Sequence, residues 1–283
     1  MRVCRLHPDD LFADNQYVRI ESWAHSHIGL VRKSNQDSLA IYPDLGLFIL
    51  ADGMGGHAAG EVASRLAVQA IYDNLRHAGF GGTESSSLGG RMARFFGRAS
   101  EPLDTELALR TALQHANQTI VQAGASATVG TPGSERSMGS TAVVLAISPA
   151  TARACWAHVG DSRLYRLRAD ALILLTADDT VPGDRYRGQT DVPTDLPHTN
   201  VLLQALGTQP DVDVAVGSAS MDSGDLFLLC SDGVSGMVDA VFIQDTLRQA
   251  TALEDAGQKL IRGALDGGGR DNASLILIRV VED

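Results

Sequence analysis

Short apolar segments bounded by aspartate are the sequence feature that most limits how this chain can fold. Segments such as residues 45–51 have the length of buried strands and are too short for buried helices. The aspartates at their ends are Asp52, Asp161 and Asp232, which follow such segments, and Asp37 and Asp271, which precede them. If the strands are neighbours, these carboxylates converge at one rim of a sheet.

Carboxylates that converge in this way repel one another, and they destabilise a fold unless protons or cations compensate them. An aspartate beside a glycine is also an ordinary turn residue, but several at strand ends favour a shared site. All the candidate ligands are hard oxygen donors, and neither Cys-x-x-Cys nor His-Glu-x-x-His occurs. The ligand type therefore predicts Mg²⁺, Mn²⁺ or Ca²⁺ rather than zinc.

Strand-like and helix-like patterns alternate along the chain. The predicted strands are residues 38–42, 45–51, 141–147, 152–159, 164–167, 225–230 and 273–281. The predicted helices are residues 60–77, 104–123, 238–250 and 253–264, where apolar residues recur at helical spacing. Asp104 is a predicted N-cap, and residues 152–159 and 164–167 are predicted to form a hairpin. The pattern favours sheets covered by helices.

Two segments interrupt this pattern. Residues 79–102 are rich in glycine and serine, and residues 178–200 are polar and contain three prolines. Both are predicted to be long surface loops. Strand signals resume on either side of each, so neither is a domain linker. The sequence predicts one catalytic domain over residues 18–283, preceded by a weakly ordered lead-in over residues 1–17.

The composition argues against several classes of protein. The formal net charge is -11, whereas nucleic acids and anionic membranes require a basic surface. The three cysteines, Cys4, Cys155 and Cys230, are scattered, which favours a reducing compartment. The first residues carry no apolar signal segment, and no segment approaches the roughly 18 apolar residues of a membrane span. We expect a cytoplasmic protein with no nucleic acid partner and no membrane insertion.

Several short motifs follow one another along nearly the whole chain. They are GLVR and NQD within residues 29–37, ADGMGGHAAGEVAS at 51–64, GSTA at 139–142, HVGDSR at 158–163, SDG at 231–233 and GRDNAS at 269–274. In this order and spacing they resemble the signature of the PP2C-type (PPM) metal-dependent protein serine/threonine phosphatases, in the form of bacterial members.

The resemblance implies an α+β fold, with a central β-sandwich of two mostly antiparallel sheets flanked by helices on both faces. It also implies that Asp52 bridges two Mg²⁺ or Mn²⁺ ions and that the Gly53 carbonyl binds one of them. Asp232 and Asp271 would complete this site. Asp37 would act mostly through metal-bound water.

The reaction implied by the resemblance is direct hydrolysis of phosphoserine and phosphothreonine. Asp161, with Asp232, would hold a third, weaker ion, and Arg32 would grip the substrate phosphate through paired guanidinium donors. A hydroxide that bridges the two ions would attack phosphorus, and no phospho-enzyme would form. The expected partners are phosphorylated proteins, the substrates of a serine/threonine kinase, and the chain is expected to be a monomer.

The chain departs from the family pattern at several positions. Gln36 stands where many members have glutamate, and its neutral side chain argues against a direct metal-ligand role. Met54 stands where eukaryotic members often carry a histidine proposed as general acid, so water or another group must protonate the leaving oxygen. His57 is interpreted as a helix-start residue. Residues 175–180 (LTADDT) differ from the Asp-His-Ser that the family often has there. The substrate preference of the family is therefore not assigned to this chain.

Two alternative functions stay open. A phosphatase-like domain could serve as a metal-binding regulatory or scaffold module without turnover, although all five aspartates are present. The same site could also act on small phosphorylated metabolites. A nucleotide-binding loop is disfavoured because Ala58 interrupts the glycine pattern, and no Gly-x-Ser-x-Gly motif of a serine hydrolase occurs.

Overall fold

The computed structural model describes residues 18–56, 58–80, 104–127, 138–148, 151–187, 189, 192–195 and 201–282. The predictions for the lead-in over residues 1–17, for Cys4, for His57 and for most of the loop over residues 79–102 lie outside these ranges. So does part of the loop predicted over residues 178–200.

Strands and helices alternate along the described part of the chain. The strands are β1 (Val18–His27), β2 (Asp37–Tyr42), β3 (Leu47–Met54), β4 (Gly139–Ser140), β5 (Ala142–Ser148), β6 (Arg153–Val159), β7 (Arg163–Arg168), β8 (Ala171–Leu174), β9 (Ala215–Ser220), β10 (Leu226–Cys230) and β11 (Ala273–Glu282). The helices are α1 (Ala59–His77), α2 (Thr105–Ala127), α3 (Val181–Asp184), α4 (Asp232–Ser235), α5 (Ala240–Arg248) and α6 (Leu253–Asp266).

Two antiparallel sheets stack face to face. One sheet has the strand order β1-β11-β10-β7-β8, and the other has the order β2-β3-β5-β6-β9 with β4 paired to β3. Successive side chains of a strand point to opposite faces. In β10, Phe227 and Leu229 join the core between the sheets, whereas Leu226, Leu228 and Cys230 join the core on the outer face. Every residue of β10 is therefore buried.

Helices cover both outer faces of this sandwich. Helices α1 and α2 pack on the sheet that contains β3, through residues such as Ala67 and Leu113. Helices α5 and α6 pack on the other sheet through residues such as Ile243 and Leu260. The predicted α+β sandwich with helices on both faces is confirmed. None of the helices in the described ranges has the length and apolarity that crossing a bilayer requires.

The strand register brings the aspartates to one end of the sandwich. β2 begins at Asp37, directly opposite Asp52 near the end of β3. β10 ends where its partner β11 begins, which places Asp232 near Asp271. β6 ends beside the start of β5, and Asp161 follows two residues later. The convergence inferred from the sequence is thus a consequence of antiparallel pairing in both sheets.

The predicted hairpin between residues 152–159 and 164–167 is wrong. β6 pairs with β5 and β9, whereas β7 pairs with β8 and β10 in the other sheet. The turn between them crosses the sandwich at Gly160, whose φ is 104°. A Cβ atom at this position would lie 2.6 Å from the Cγ2 atom of Thr141. The tight crossing therefore requires glycine.

The four predicted helices correspond to α1, α2, α5 and α6, with ends that differ by a few residues. The predicted cap at Asp104 is present, because its Oδ1 accepts a hydrogen bond of 3.2 Å from the N–H of Leu107. The loop predicted over residues 178–200 is partly wrong. Asp178, Asp179 and Thr180 are buried, and α3 follows them.

The buried face between the sheets predicts a clear difference between two leucine substitutions. Leu229 is fully buried there, whereas Leu107 on α2 is 58% exposed. We expect Leu229→Ala to lower the free energy of unfolding by about 2–5 kcal/mol, because it removes packed atoms and leaves a cavity. The matched Leu107→Ala substitution is expected to change the free energy of unfolding by no more than about 0.5 kcal/mol. Urea denaturation measures both, and equal losses would contradict the packing described above.

Candidate active site

A cavity of about 220 Å³ lies where the strand ends meet. The predicted site residues that line it are Arg32, Asp52, Gly53, Asp161, Asp232 and Asp271. Asp37 does not line the cavity but faces Asp52 across the β2–β3 pair. The structure thus brings the residues singled out from the sequence into one place, although they come from both sheets.

Asp37 has one satisfied and one unsatisfied carboxylate oxygen. Its Oδ2 accepts a hydrogen bond of 3.0 Å from the hydroxyl of Ser231. Its Oδ1 is buried and has no hydrogen-bond partner within the described residues. Burial raises the pKa of Asp37 to about 7, although hydrogen bonds from Ser274 and Ser231 lower it. Burial without full compensation makes the ionised form of this side chain costly.

The other carboxylates repel one another. Burial, followed by the charges of neighbouring aspartates, raises the pKa of Asp52 well above its ordinary value. Burial and then the charge of Asp271 raise the pKa of Asp232, although a hydrogen bond with Asp52 lowers it. Burial and then the charge of Asp232 raise the pKa of Asp161 to about 7. A positive charge near these side chains would stabilise the ionised form of each carboxyl group.

This set of donors fits a divalent cation. Oδ1 of Asp232, like Oδ1 of Asp37, is buried and lacks a partner in the part of the chain that the structure describes, which costs free energy. The side chains do not form a finished cage, because no group of three or more Asp, Glu, His or Cys residues in the described ranges has the geometry to hold an ion. Asp271 is paired with Arg32, which already offsets part of its charge.

Arg32 lies at the mouth of the cavity. Its side chain is 48% exposed and forms an ion pair with Asp271. The backbone N–H of Leu30 donates a 2.7 Å hydrogen bond to the carbonyl oxygen of Gly269, which ties the loop of Arg32 to the loop of Asp271. The guanidinium group is therefore held beside the carboxylates while part of it faces solvent.

Gly53 lies where a side chain cannot fit. A Cβ atom there would lie 2.0 Å from the carbonyl oxygen of Gly60 and 2.7 Å from that of Gln36. The backbone of β3 thus runs against the start of α1 at the wall of the cavity. Gln36 is buried, and its Nε2 donates to the carbonyl oxygen of Gly55 at 3.4 Å. That Gln36 is not a metal ligand stays a prediction.

Asn272 is one residue that sequence reasoning missed, although its motif was recognised. Its Nδ2 donates to the carbonyl oxygens of Ile28 at 2.8 Å and Ser34 at 3.0 Å. Its Oδ1 accepts a 2.8 Å hydrogen bond from the backbone N–H of Gln36. One buried amide therefore fixes both ends of the loop that carries Arg32.

Thr141 has a similar role for Asp52. Its Oγ1 accepts a 3.1 Å hydrogen bond from the backbone N–H of Asp52, and its own N–H donates to the carbonyl oxygen of Asp52 at 2.8 Å. The same hydroxyl forms a 2.7 Å hydrogen bond with the hydroxyl of Ser162. Thr141 therefore links the strand end at Asp52 to the turn at Asp161. Its signal in the sequence was the GSTA motif, which does not reveal this role.

A buried ion pair supports the turn that carries Asp161. Arg163 donates to Asp178 from Nε at 2.9 Å and from Nη2 at 2.7 Å, and both side chains are almost fully buried. The backbone N–H of Gly160 donates to Oδ2 of Asp179 at 2.8 Å. Asp178 and Asp179, which are consecutive, thus hold the turn over residues 160–163 in place. Because both are engaged in this way, neither is a free ligand in the cavity.

Comparison with known proteins agrees with this geometry. The sequence profile of the family described as "Protein phosphatase 2C" matches residues 25–266. The protein phosphatase PhpP of Streptococcus pneumoniae serotype 2 (strain D39 / NCTC 7466) is 30% identical over 266 residues, which is 90% of this chain and 96% of PhpP. The serine/threonine protein phosphatase PstP of Mycobacterium tuberculosis (strain ATCC 25618 / H37Rv) is 34% identical over 262 residues, which is 92% of this chain and 45% of PstP.

Solved structures show the same fold. PppA of Pseudomonas aeruginosa, described as a key regulatory component of T6SS, superposes with a TM-score of 0.70 at 29% identity and covers 94% of this chain and 100% of PppA. The catalytic domain of PstP in complex with two manganese ions superposes with a TM-score of 0.70 at 30% identity and covers 94% of this chain and 100% of that domain. The fold and the site define a metal-dependent phosphatase.

The chain belongs to the protein phosphatase 2C family. The family resemblance inferred from the sequence is confirmed. The expected enzyme class, a protein serine/threonine phosphatase, is confirmed as well.

Asn272 generates a test of how the site is positioned. We expect Asn272→Ala to lower kcat/KM for a phosphothreonine peptide by about tenfold to a hundredfold, because a displaced Arg32 loop misaligns the reacting groups. It also leaves the carbonyl oxygens of Ile28 and Ser34 without their donor, which lowers the free energy of unfolding by about 1–3 kcal/mol. The control is Asn74→Ala near the C-terminal end of α1. Steady-state kinetics and urea denaturation measure both effects, and unchanged kinetics in the Asn272 variant would refute the positioning role.

Proposed function

We propose that this chain hydrolyses phosphoserine and phosphothreonine in proteins, with two divalent ions held by Asp52, Asp232, Asp271 and the Gly53 carbonyl group. The observation that carries the proposal is the cluster of buried, mutually repelling carboxylates beside Arg32, in a cavity at the surface. The PstP catalytic domain, which has the same fold, was solved with two manganese ions. This relative supports Mn²⁺ or Mg²⁺ as the cofactor here.

The remaining aspartates have supporting roles in this proposal. Asp37 acts mostly through water, because it faces Asp52 but does not line the cavity. Asp161, together with Asp232, holds a third and weaker ion. When bound, such ions supply Lewis acidity and an activated water nucleophile for displacement at phosphorus. The protein contributes fixed positions for these oxygen ligands.

Arg32 binds the substrate phosphate in this proposal. Its guanidinium group lies half exposed beside Asp271, so it can turn from the carboxylate to a phosphate oxygen. Planar paired donors suit phosphate, and they also offset the charge that develops on the equatorial oxygens during transfer. None of the described residues that line the cavity is a histidine, so water or another group of the site protonates the leaving oxygen.

A thiol nucleophile is not part of the mechanism. Burial raises the pKa of Cys230 to about 12, so its thiolate is scarcely populated at neutral pH. Burial also raises the pKa of Cys155. Neither thiol lines the cavity beside Asp52, so attack by water remains the proposed chemistry.

The wider setting is part of the same proposal. The substrates are phosphoproteins made by a serine/threonine kinase, and the chain acts as a monomer in the cytoplasm. One catalytic domain occupies residues 18–283, which is supported by the family match over residues 25–266. The names of PhpP and PstP, protein phosphatases that resemble most of this chain, support protein substrates over small metabolites.

The metal site predicts the behaviour of Asp232→Asn. We expect this variant to lose nearly all Mn²⁺-dependent turnover of a phosphothreonine peptide, because it removes a charged oxygen ligand from a buried site. Without metal, its free energy of unfolding should equal or exceed that of the wild type, since repulsion with Asp52 and Asp271 is relieved. Titration calorimetry with Mn²⁺, peptide hydrolysis and urea denaturation give the three readouts.

The matched control is Asp266→Asn, an exposed carboxylate at the end of α6. It makes the same chemical change outside the cavity and should retain activity and Mn²⁺ binding. A folded Asp232→Asn variant with near wild-type turnover would refute the metal-ligand role. Folded wild-type protein that binds Mn²⁺ but hydrolyses no phosphopeptide would instead favour a regulatory module.

Phosphate binding by Arg32 predicts a change in KM. We expect Arg32→Ala to raise KM for the phosphopeptide by about tenfold to a hundredfold, the size of a lost charge-assisted hydrogen-bond pair. Mn²⁺ binding should persist, because Asp271 is released rather than removed. Arg32→Lys keeps the charge but not the paired donors, so its KM should lie between those of the wild type and Arg32→Ala. Arg262→Ala on α6 is the exposed control, and an unchanged KM and kcat in Arg32→Ala would rule out phosphate contact.

A further inference from the structure

A second cavity of about 390 Å³ lies between the two sheets at one lateral edge of the sandwich. Its walls come from β6 and β9 of one sheet and from β7, β8 and the segment after β8 of the other. β8 and β9 are the last strands of their sheets on this side. The cavity is therefore the open end of the space that the apolar core fills elsewhere.

Small residues on β9 create this space. Alternate residues of the strand, Ala215, Gly217 and Ala219, stand opposite His158, Trp156 and Ala154 of β6 in the register of the sheet. A Cβ atom on Gly217 would lie 2.6 Å from Cζ2 of Trp156, so the indole ring lies directly over the backbone of β9. Larger side chains at these positions would close the gap, which is instead lined by the indole.

His158 presents an unused hydrogen-bond acceptor here. Its side chain is 3% exposed, and its Nε2 lies 2.8 Å from the carbonyl oxygen of Ala177. A carbonyl oxygen only accepts hydrogen bonds, so Nε2 of His158 carries the hydrogen. Burial lowers the pKa of His158, which favours the neutral ring. Nδ1 is then a bare acceptor, and it is buried with no partner within the described residues. An unpaired buried acceptor calls for a ligand or water.

Arg166 presents an unused donor on the facing sheet. Its Nε–H is buried and has no hydrogen-bond partner in the described part of the chain, whereas its Nη1 donates to the carbonyl oxygen of Ser220 at 3.3 Å. Among the described residues it forms no ion pair. Arg187 also lines the cavity, but its guanidinium group pairs with Asp179, Asp184 and Asp213. None of the described residues that line the cavity is Asp or Glu, so the charge of Arg166 has no counter-ion on these walls.

We propose that this inter-sheet cleft is a binding site for a small organic anion with a flat apolar body, separate from the phosphatase site. The anionic group would accept from Arg166, the apolar body would lie against Trp156, and a hydroxyl or N–H of the ligand would donate to His158. Both unpaired atoms and the apolar walls are then satisfied together. Water could pair these polar atoms but would leave the apolar walls without a partner.

The two tryptophans of the chain allow a direct test. Trp156 lines the cleft, whereas Trp23 stacks on His25 in β1 of the other sheet. In protein labelled with ¹⁵N-tryptophan, the two indole N–H signals are assigned with Trp23→Phe. We expect 1-naphthoate to shift the Trp156 signal in a saturable manner with a Kd of about 0.1–10 mM, a range suited to a ligand of this size. The Trp23 signal should stay in place.

The neutral methyl ester of 1-naphthoate is the matched ligand control and should bind at least about tenfold more weakly, since it cannot make a charge-assisted hydrogen bond. Arg166→Met should weaken naphthoate binding by the same factor, whereas Arg65→Met, an exposed change on α1, should not. Absence of a Trp156 shift in the wild type, or equal binding of acid and ester, would overturn the proposal. The ester comparison uses only the wild-type chain, so it holds even if Arg166→Met fails to fold.

Discussion

Repulsion among buried carboxylates at one end of the sandwich is the constraint on which the rest of this structure depends. Burial raises the pKa of Asp37 and of Asp161 to about 7, so the folded chain holds these side chains where they ionise reluctantly. Only a rigid frame can keep like charges this close. The apolar core between the sheets, with Phe48 and Phe227 fully buried in it, supplies that frame, and the ions proposed for the cavity would offset the repulsion.

Neutral polar side chains complete the frame around the acidic cluster. Asn272 fixes the Arg32 loop, Thr141 fixes the end of β3, and Ser231 donates to Asp37. None of these groups carries charge, so each sets the position of a charged side chain without changing the net charge of the cavity. The same arrangement explains why a site with so many aspartates can have well-defined geometry before any cation is considered.

The sequence allowed much of this to be predicted, and the limits have physical causes. Asp52 and Asp232 could be found because apolar strands end at them, and α6 because its apolar residues recur at helical spacing. β9, with the sequence AVGSAS, escaped prediction because an edge strand with small residues carries little alternation. The false hairpin after β6 had the right turn chemistry at Gly160, but sequence alone does not distinguish a turn within a sheet from a crossing between sheets.

The departure from the family pattern at residues 178–180 illustrates how such a change is accommodated. Asp179 is fully buried, yet its carboxylate accepts from the N–H of Gly160 and pairs with Arg187. Its backbone N–H also donates to the carbonyl oxygen of Gly160 at 2.9 Å. The charge introduced at this position is therefore balanced by Arg187, while the turn before Asp161 keeps its support. The residues of this segment up to Thr180 are therefore committed to holding the turn that carries Asp161.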